Sequence, residues 1–220
     1  MNRPLALFAA VIALVGAVAF LSTNRATQTL APIGAAVAQD SEIDTSMIEE
    51  MSMGNPDAKV TVIEYASFTC PHCRNFHASV LKDLKRDYID TGKINFIYRE
   101  VYFDRYGLWA GMVARCGGPM RYFGIADLIY EQQQDWTKGG EPAAIAASLR
   151  RIGKTAGLSD EELDKCMADG EMAQAMVAVY QKNAEADDIN ATPSFVINGE
   201  KYSNMSYDDF RAIIEEKLAE

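Results

Sequence analysis

Histidine is nearly missing from this 220-residue sequence. There are two, His72 and His77, beside four cysteines that supply one CxxC and no second ligand pair. A tetrahedral zinc site, and with it a metal-dependent reading, therefore finds no support. Basic residues are also short: 21 Lys and Arg against 31 Asp and Glu, a formal charge of −10 with the acids spread along the chain. That balance excludes a broad electrostatic surface for nucleic acid or anionic lipid. Acids are absent before Asp40, and beyond that point no internal repeat or low-complexity tract interrupts the chain. Apolar residues are plentiful, 49% of the total, which is enough to build a core in one large domain or two small ones.

The acid-free beginning has its own character. Leu5 to Leu21 is an unbroken run of seventeen apolar or glycine residues, with Arg3 before it and the polar Ser22-Thr23-Asn24-Arg25 after it. This reads as an export segment outside the fold, slightly long for a signal core and slightly short for a membrane span. Ala36-Val37-Ala38 offers a small-residue cleavage pattern, so residues 1–38 are expected to be removed, with a retained N-terminal anchor as the alternative. Cleavage would take away two arginines and no acid, moving the charge from −10 to −12. No cysteine follows the apolar run closely, which argues against a lipid-anchored form. Export places the cysteines where disulfides form and persist.

The remaining chain is organised around Cys70-Pro71-His72-Cys73. The apolar run Val60 to Ala66 precedes it as a strand, and Phe76, Val80, Leu81, Leu84 and Tyr88 follow at helical spacing. A strand feeding a CxxC at a helix start points to thiol–disulfide chemistry. The first turn of a helix presents unpaired N–H groups and the positive end of the dipole, both favouring a thiolate. With Cys70 at the N-cap, Pro71 falls where its missing N–H is harmless, and His72 adds a polar ring between the sulfurs. Such surroundings place activated thiols at about 3.5 to 7.5 against ~8.5 for a free cysteine. His77, one turn on, is expected to be a solvated surface residue.

Residues 39–52 read as a linker or short helix, and Met53-Gly54-Asn55-Pro56-Asp57 as a turn leading into the first strand. The helix from Pro71 is expected to run to about Asp90, with Ile94 to Val101 as a parallel strand that completes a βαβ unit. From 104 to 189 only helical patterns appear, near 105–116, 121–134, 141–156, 159–169 and 171–188, with Ser159-Asp160-Glu161-Glu162 opening one as a capping box. Pro193 to Ile197 and Glu200 to Tyr202 form a hairpin about Asn198-Gly199, and Ser206 to Leu218 a closing helix.

Strand, CxxC, helix, strand, helical insert, then Thr-Pro, hairpin and helix, together with the Pro-His dipeptide, resemble the DsbA family of disulfide oxidoreductases over about residues 53–220. The resemblance implies an α/β thioredoxin fold, residues 53–103 and 190–220, carrying an all-helical insertion at 104–189. It implies Cys70 as the nucleophile and Cys73 as its resolving partner, in a site with Pro71 and His72. Thr192-Pro193 matches the loop whose proline is cis and whose backbone pairs with substrate. Glu64, an acid in an apolar strand, matches the family's buried acidic position, where burial would favour the neutral carboxyl and let it exchange a proton with Cys73. A strand-edge glutamate facing water is the alternative. Cys116 and Cys166 are expected to form a structural disulfide, as in one branch of the family. Tyr102, Phe103, Trp109 and Trp136 are expected mainly in the core.

The function expected is a periplasmic thiol oxidase that donates its Cys70–Cys73 disulfide to reduced exported proteins and is reoxidised by a DsbB-type membrane quinone reductase. No cofactor beyond the cysteine pair, no nucleic acid and a monomeric state are expected. A disulfide isomerase or reductase kept reduced by a membrane partner is the alternative, favoured by Thr192, which isomerase relatives often carry. Against it, residues 39–52 are too short for the dimerisation domain of such proteins.

Overall fold

The structure is a computed structural model and describes residues 43–220. The expected export segment and residues 39–42 of the expected linker lie outside the described residues. Among the described residues no helix is long and apolar enough to cross a membrane.

The chain crosses the molecule first as β1 (Met51–Gly54) and β2 (Val60–Ala66), and later as β3 (Ile94–Glu100), β4 (Ser194–Ile197) and β5 (Glu200–Ser203). The five form one sheet in the order β1-β3-β2-β4-β5. Only β2 and β3 run parallel; the other neighbours are antiparallel. β2 therefore has a strand on each side, and its side chains are enclosed: Val60, Val62, Glu64, Tyr65 and Ala66 are all 0% exposed.

β1 corrects the expected linker or short helix at residues 39–52. Met51 is buried, Ser52 exposed and Met53 half-buried, the period of two that a half-covered strand requires, and Met51 lies opposite Tyr98 of β3. The strand ends at Gly54 with φ +92°, where a Cβ would come within 2.4 Å of the Ile94 carbonyl oxygen. Only glycine fits there. The hairpin between β4 and β5 turns on Asn198 (φ +48°) and Gly199 (φ +88°), as the Asn-Gly pair predicts.

The connection from β2 to β3 is less regular than the expected single helix to Asp90. It consists of α1 (Pro71–Ala78), α2 (Val80–Leu84) and a π turn over Lys85–Ile89. The break falls at Ser79, with φ −133° and ψ −79°. Its hydroxyl donates to the Asn75 carbonyl at 2.8 Å, competing with the helix for a backbone acceptor.

Between β3 and β4 come α3 (Arg105–Cys116), α4 (Pro119–Glu131), α5 (Gln133–Trp136), α6 (Pro142–Thr155), α7 (Asp160–Ala168) and α8 (Gly170–Ala186). Asp104 caps α3 by accepting from Tyr106 and Gly107, and Ser159 opens α7 in a complete capping box with Glu162. The insert and the sheet share one continuous core, from Phe96, Phe195 and Phe210 through Phe68 and Tyr130 to Ile129, Leu149 and Leu163. Where they meet, Arg115 makes a two-pronged bond to buried Glu100 at 2.7 and 2.6 Å, and Tyr122 donates to the same carboxylate at 2.8 Å. The closing helix α9 (Tyr207–Ala219) covers the sheet through Phe210, whose ring lies 4.6 Å from Phe195.

Candidate active site

β2 ends at Ala66, and the buried turn Ser67-Phe68 delivers Cys70 to the start of α1. The Cys70 amide donates to the Ser67 carbonyl at 3.0 Å. Cys70 has φ −80° and ψ 120°, the extended backbone of an N-cap, and Pro71 occupies the first helical position. The Cys70 sulfur is half-buried, Pro71 and His72 are exposed, and Cys73 is fully buried beneath them. Both Cys70 and Cys73 are free thiols.

The two sulfurs have opposite electrostatics. Cys70 is held down to about 5, chiefly because Cys73 hydrogen-bonds to it; partial burial opposes this, and the Thr192 side chain and the backbone N–H groups of Cys73 and His72 add to it. Cys73 is pushed far above the ordinary thiol range, first by burial, then by its bond to Cys70 and by the Glu64 charge. At neutral pH the reduced pair is thus a Cys70 thiolate receiving the Cys73 S–H.

Thr192-Pro193 closes the site from the loop before β4. The bond is cis, and as a thiol Cys70 donates to the Thr192 carbonyl at 3.4 Å. Glu64 lies under the pair, on the central strand and fully buried, so the water-facing alternative is excluded. Its carboxylate meets His77 Nε2 at 3.0 and 3.2 Å. This corrects the expectation for His77, which is 6% exposed rather than solvated. Position 77 falls on the face of α1 that carries Cys73 and Phe76, and that face packs on the sheet.

Sequence reasoning missed one further contact. Gln133, at the start of α5 and 3% exposed, donates through Nε2 to the carbonyls of Phe68 at 2.8 Å and Cys70 at 2.9 Å. The helical insert thereby grips the backbone on which the half-buried Cys70 sulfur is mounted. Nothing local in Glu131-Gln132-Gln133-Gln134 marks which glutamine does this. Thr69 makes a second tie, donating to the capping residue Asp104 at 2.8 Å. Of the expected site residues, Cys70, Pro71, His72, Cys73, Glu64, Thr192 and Pro193 come together here. Cys116 and Cys166 are joined elsewhere, linking the end of α3 to α7 with Cα atoms 5.7 Å apart. Trp136 is a core residue, whereas Phe103 is 58% exposed. Among the described residues no group of three or more His, Cys, Asp or Glu could hold a metal ion.

A family model described as thioredoxin matches residues 46–216. The chain belongs to the thioredoxin family. Its relatives include a Rickettsia bellii protein named as a protein-disulfide oxidoreductase, 34% identical over 172 residues that make up 78% of this chain and 65% of the relative. Disulfide bond formation protein D of Bacillus subtilis is 26% identical over 178 residues, 76% of each chain. The chain thus spans a little under two thirds of the length of the rickettsial relatives. Among solved structures, alpha-DsbA1 of Wolbachia pipientis matches with a TM-score of 0.71 and 27% identity, over 78% of this chain and 92% of that one. Oxidised BdbD from Bacillus subtilis shares the fold, with a TM-score of 0.69 at 22% identity over 78% of this chain and 94% of that one. The DsbA-type resemblance and the thioredoxin fold expected from the sequence are both borne out.

Proposed function

We propose that the protein is a thiol:disulfide oxidoreductase that donates a Cys70–Cys73 disulfide to reduced proteins outside the cytosol. The observation that carries this reading is the inequality of the two sulfurs: an accessible one held at about 5, and a fully buried one pushed far up. A stabilised thiolate lowers the free energy of the reduced form and leaves the disulfide unaffected, so the oxidised form becomes a stronger oxidant. Each pH unit by which Cys70 is lowered is worth roughly 30 mV in a two-electron couple.

A substrate thiolate attacks Cys70, the accessible sulfur. The Cys70–Cys73 bond breaks, a substrate–Cys70 bond forms, and Cys73 leaves with the electron pair and takes a proton. A second substrate thiolate then attacks the substrate sulfur, and Cys70 departs as a thiolate that its surroundings already stabilise. The substrate is oxidised by two electrons and the protein reduced by two. Thr192, with its backbone beside the half-buried Cys70 sulfur, supplies the edge on which an extended substrate segment pairs. Reoxidation is assigned to a DsbB-type membrane quinone reductase. A periplasmic setting is supported by the apolar run Leu5 to Leu21 and by the Cys116–Cys166 bond.

The test is the equilibrium potential of the Cys70/Cys73 couple against glutathione, with Cys116–Cys166 intact. A value clearly more oxidising than the glutathione poise supports the oxidase. A thioredoxin-like reducing value overturns it in favour of a reductase or isomerase kept reduced by a membrane partner, the reading that Thr192 favours.

A further inference from the structure

We propose that Gln133 is a positioning residue for the disulfide chemistry: by holding the carbonyls of Phe68 and Cys70 it keeps the Cys70 sulfur aimed at the first turn of α1 in the reduced protein. The helical insert is thereby a determinant of how oxidising the pair is. This rests on the reading of Cys70 and Cys73 as the reactive pair.

The active-site turn has little of its own to fix that aim. Ser67 to Cys70 is closed by one bond, from the Cys70 amide to the Ser67 carbonyl at 3.0 Å. The Phe68 carbonyl is left to an outside donor, and from the backbone the Cys70 carbonyl receives the Arg74 amide at 3.2 Å. Gln133 supplies the rest. Its primary amide has two N–H bonds, and Nε2 lies 2.8 Å from the Phe68 oxygen and 2.9 Å from the Cys70 oxygen. One buried side chain thus brackets the turn. Its own mount is firm: the Thr137 hydroxyl donates to the Gln133 carbonyl at 2.6 Å, and buried Trp136 donates its indole N–H to the Ile129 carbonyl at 2.9 Å. The other ties reach different atoms. Thr69 is held by its hydroxyl, and Phe68 by its ring, 5.1 Å from that of Tyr130 and 5.8 Å from that of Tyr98. Neither fixes the peptide planes that decide where the Cys70 side chain points.

The two redox forms need this bracket unequally. In the disulfide the Cys70 sulfur is tethered to Cys73 by a covalent bond, and its place is fixed whatever Gln133 does. In the reduced protein directional contacts hold it, among them the Cys73 S–H and the backbone N–H groups of His72 and Cys73. Such contacts weaken steeply once the donor angle falls below about 120°. Without Gln133 the buried Phe68 carbonyl lacks a partner, the turn rotates to find another donor, and the sulfur leaves the line of those N–H groups. The loss falls on the reduced form, so the pair becomes a weaker oxidant.

The test uses the full chain with Cys116–Cys166 intact and compares Gln133→Met, which keeps the volume and loses the donor, with Gln134→Met, a change at its exposed neighbour. In equilibrium with glutathione, two glutathione thiols join in a disulfide as the Cys70–Cys73 bond opens and two electrons pass to the protein. Gln133→Met should lower that equilibrium constant about tenfold, a shift of roughly 30 mV towards the reducing side. The thiolate absorbance of Cys70 should titrate about one pH unit higher. Gln134→Met should change neither. Urea unfolding separates positioning from a purely structural role: the stability lost in Gln133→Met should be greater in the reduced protein than in the oxidised one. In the wild-type protein, where no variant has to fold, hydrogen-exchange NMR should find both Gln133 side-chain N–H protons protected from solvent. Equal losses in the two redox forms, an unchanged equilibrium constant, an equal effect of Gln134→Met, or fast exchange of those protons would overturn the inference. A wild-type protein that reaches no equilibrium with glutathione would instead overturn the reading of the pair.

Discussion

Acidification should erase a stability advantage that the reduced protein draws from Cys70. The native thiol ionises at about 5, against 9.0 for an unperturbed one. Between those values the unfolded chain keeps its proton and the native protein does not, so stability rises with pH. The advantage is complete above the unfolded value and is lost as the pH falls through about 5. Taken at face value the difference amounts to ~5 kcal/mol. Cys70 is half exposed, however, and solvent screening reduces the expected size to about 2 kcal/mol. Cys73 keeps its proton throughout this range and adds no slope, and in the disulfide form neither sulfur titrates. Urea unfolding of the reduced and oxidised proteins should therefore give a free-energy difference that moves in favour of the reduced form between about pH 5 and pH 8. Cys70→Ser should remove the slope. A difference between the redox forms that stays constant with pH would refute the account of the thiolate.

The same asymmetry predicts that iodoacetamide, applied to the reduced native protein at mildly acidic pH, modifies Cys70 and spares Cys73; peptide mass spectrometry reads the outcome, and equal labelling would contradict the burial of Cys73. Gln133→Leu removes the donor shared by the buried Phe68 carbonyl and the part-buried Cys70 carbonyl, which keeps the Arg74 amide, and should lower stability by about 1–3 kcal/mol, measured as a shift in the urea midpoint. Arg115→Met leaves the Glu100 carboxylate buried with Tyr122 alone and should cost about 3–5 kcal/mol in the same assay. Replacing both Cys116 and Cys166 by serine opens a loop of 50 residues. The chain-entropy model puts the loss at about 4 kcal/mol, and a thermal melt unchanged by the double substitution would refute it.

The parts of the fold that announce themselves in sequence are those with a local physical code. Val60 to Ala66, the Pro after Cys70, Asn198-Gly199 and the Ser159 capping box each specify their own backbone. β1 was obscured because four residues give only two alternations, and Met51 and Met53 fit a helix as well as a strand. Ser79 broke a helix that periodicity alone carried to Asp90, since the competition of its hydroxyl for a backbone carbonyl has no counterpart in the apolar pattern. His77 could have been found: Cys73, Phe76, His77, Leu81 and Leu84 form one helical stripe, and the histidine stands inside it rather than opposite. Gln133 could not, because its value lies in contacts with residues more than sixty positions earlier.

The two margins of the sheet have a consequence for how the molecule behaves in company. β1 and β5 are four residues each, and β5 presents Glu200 and Lys201 outward beside the ion pair of Lys217 with Glu200. A short edge strand, and at β5 a charged one, is a poor template for another chain's backbone. Pairing with foreign extended segments is thereby discouraged at both rims of the sheet. Under the proposed function, incompletely folded chains would then be engaged beside the Cys70 sulfur without drawing the protein into their aggregates.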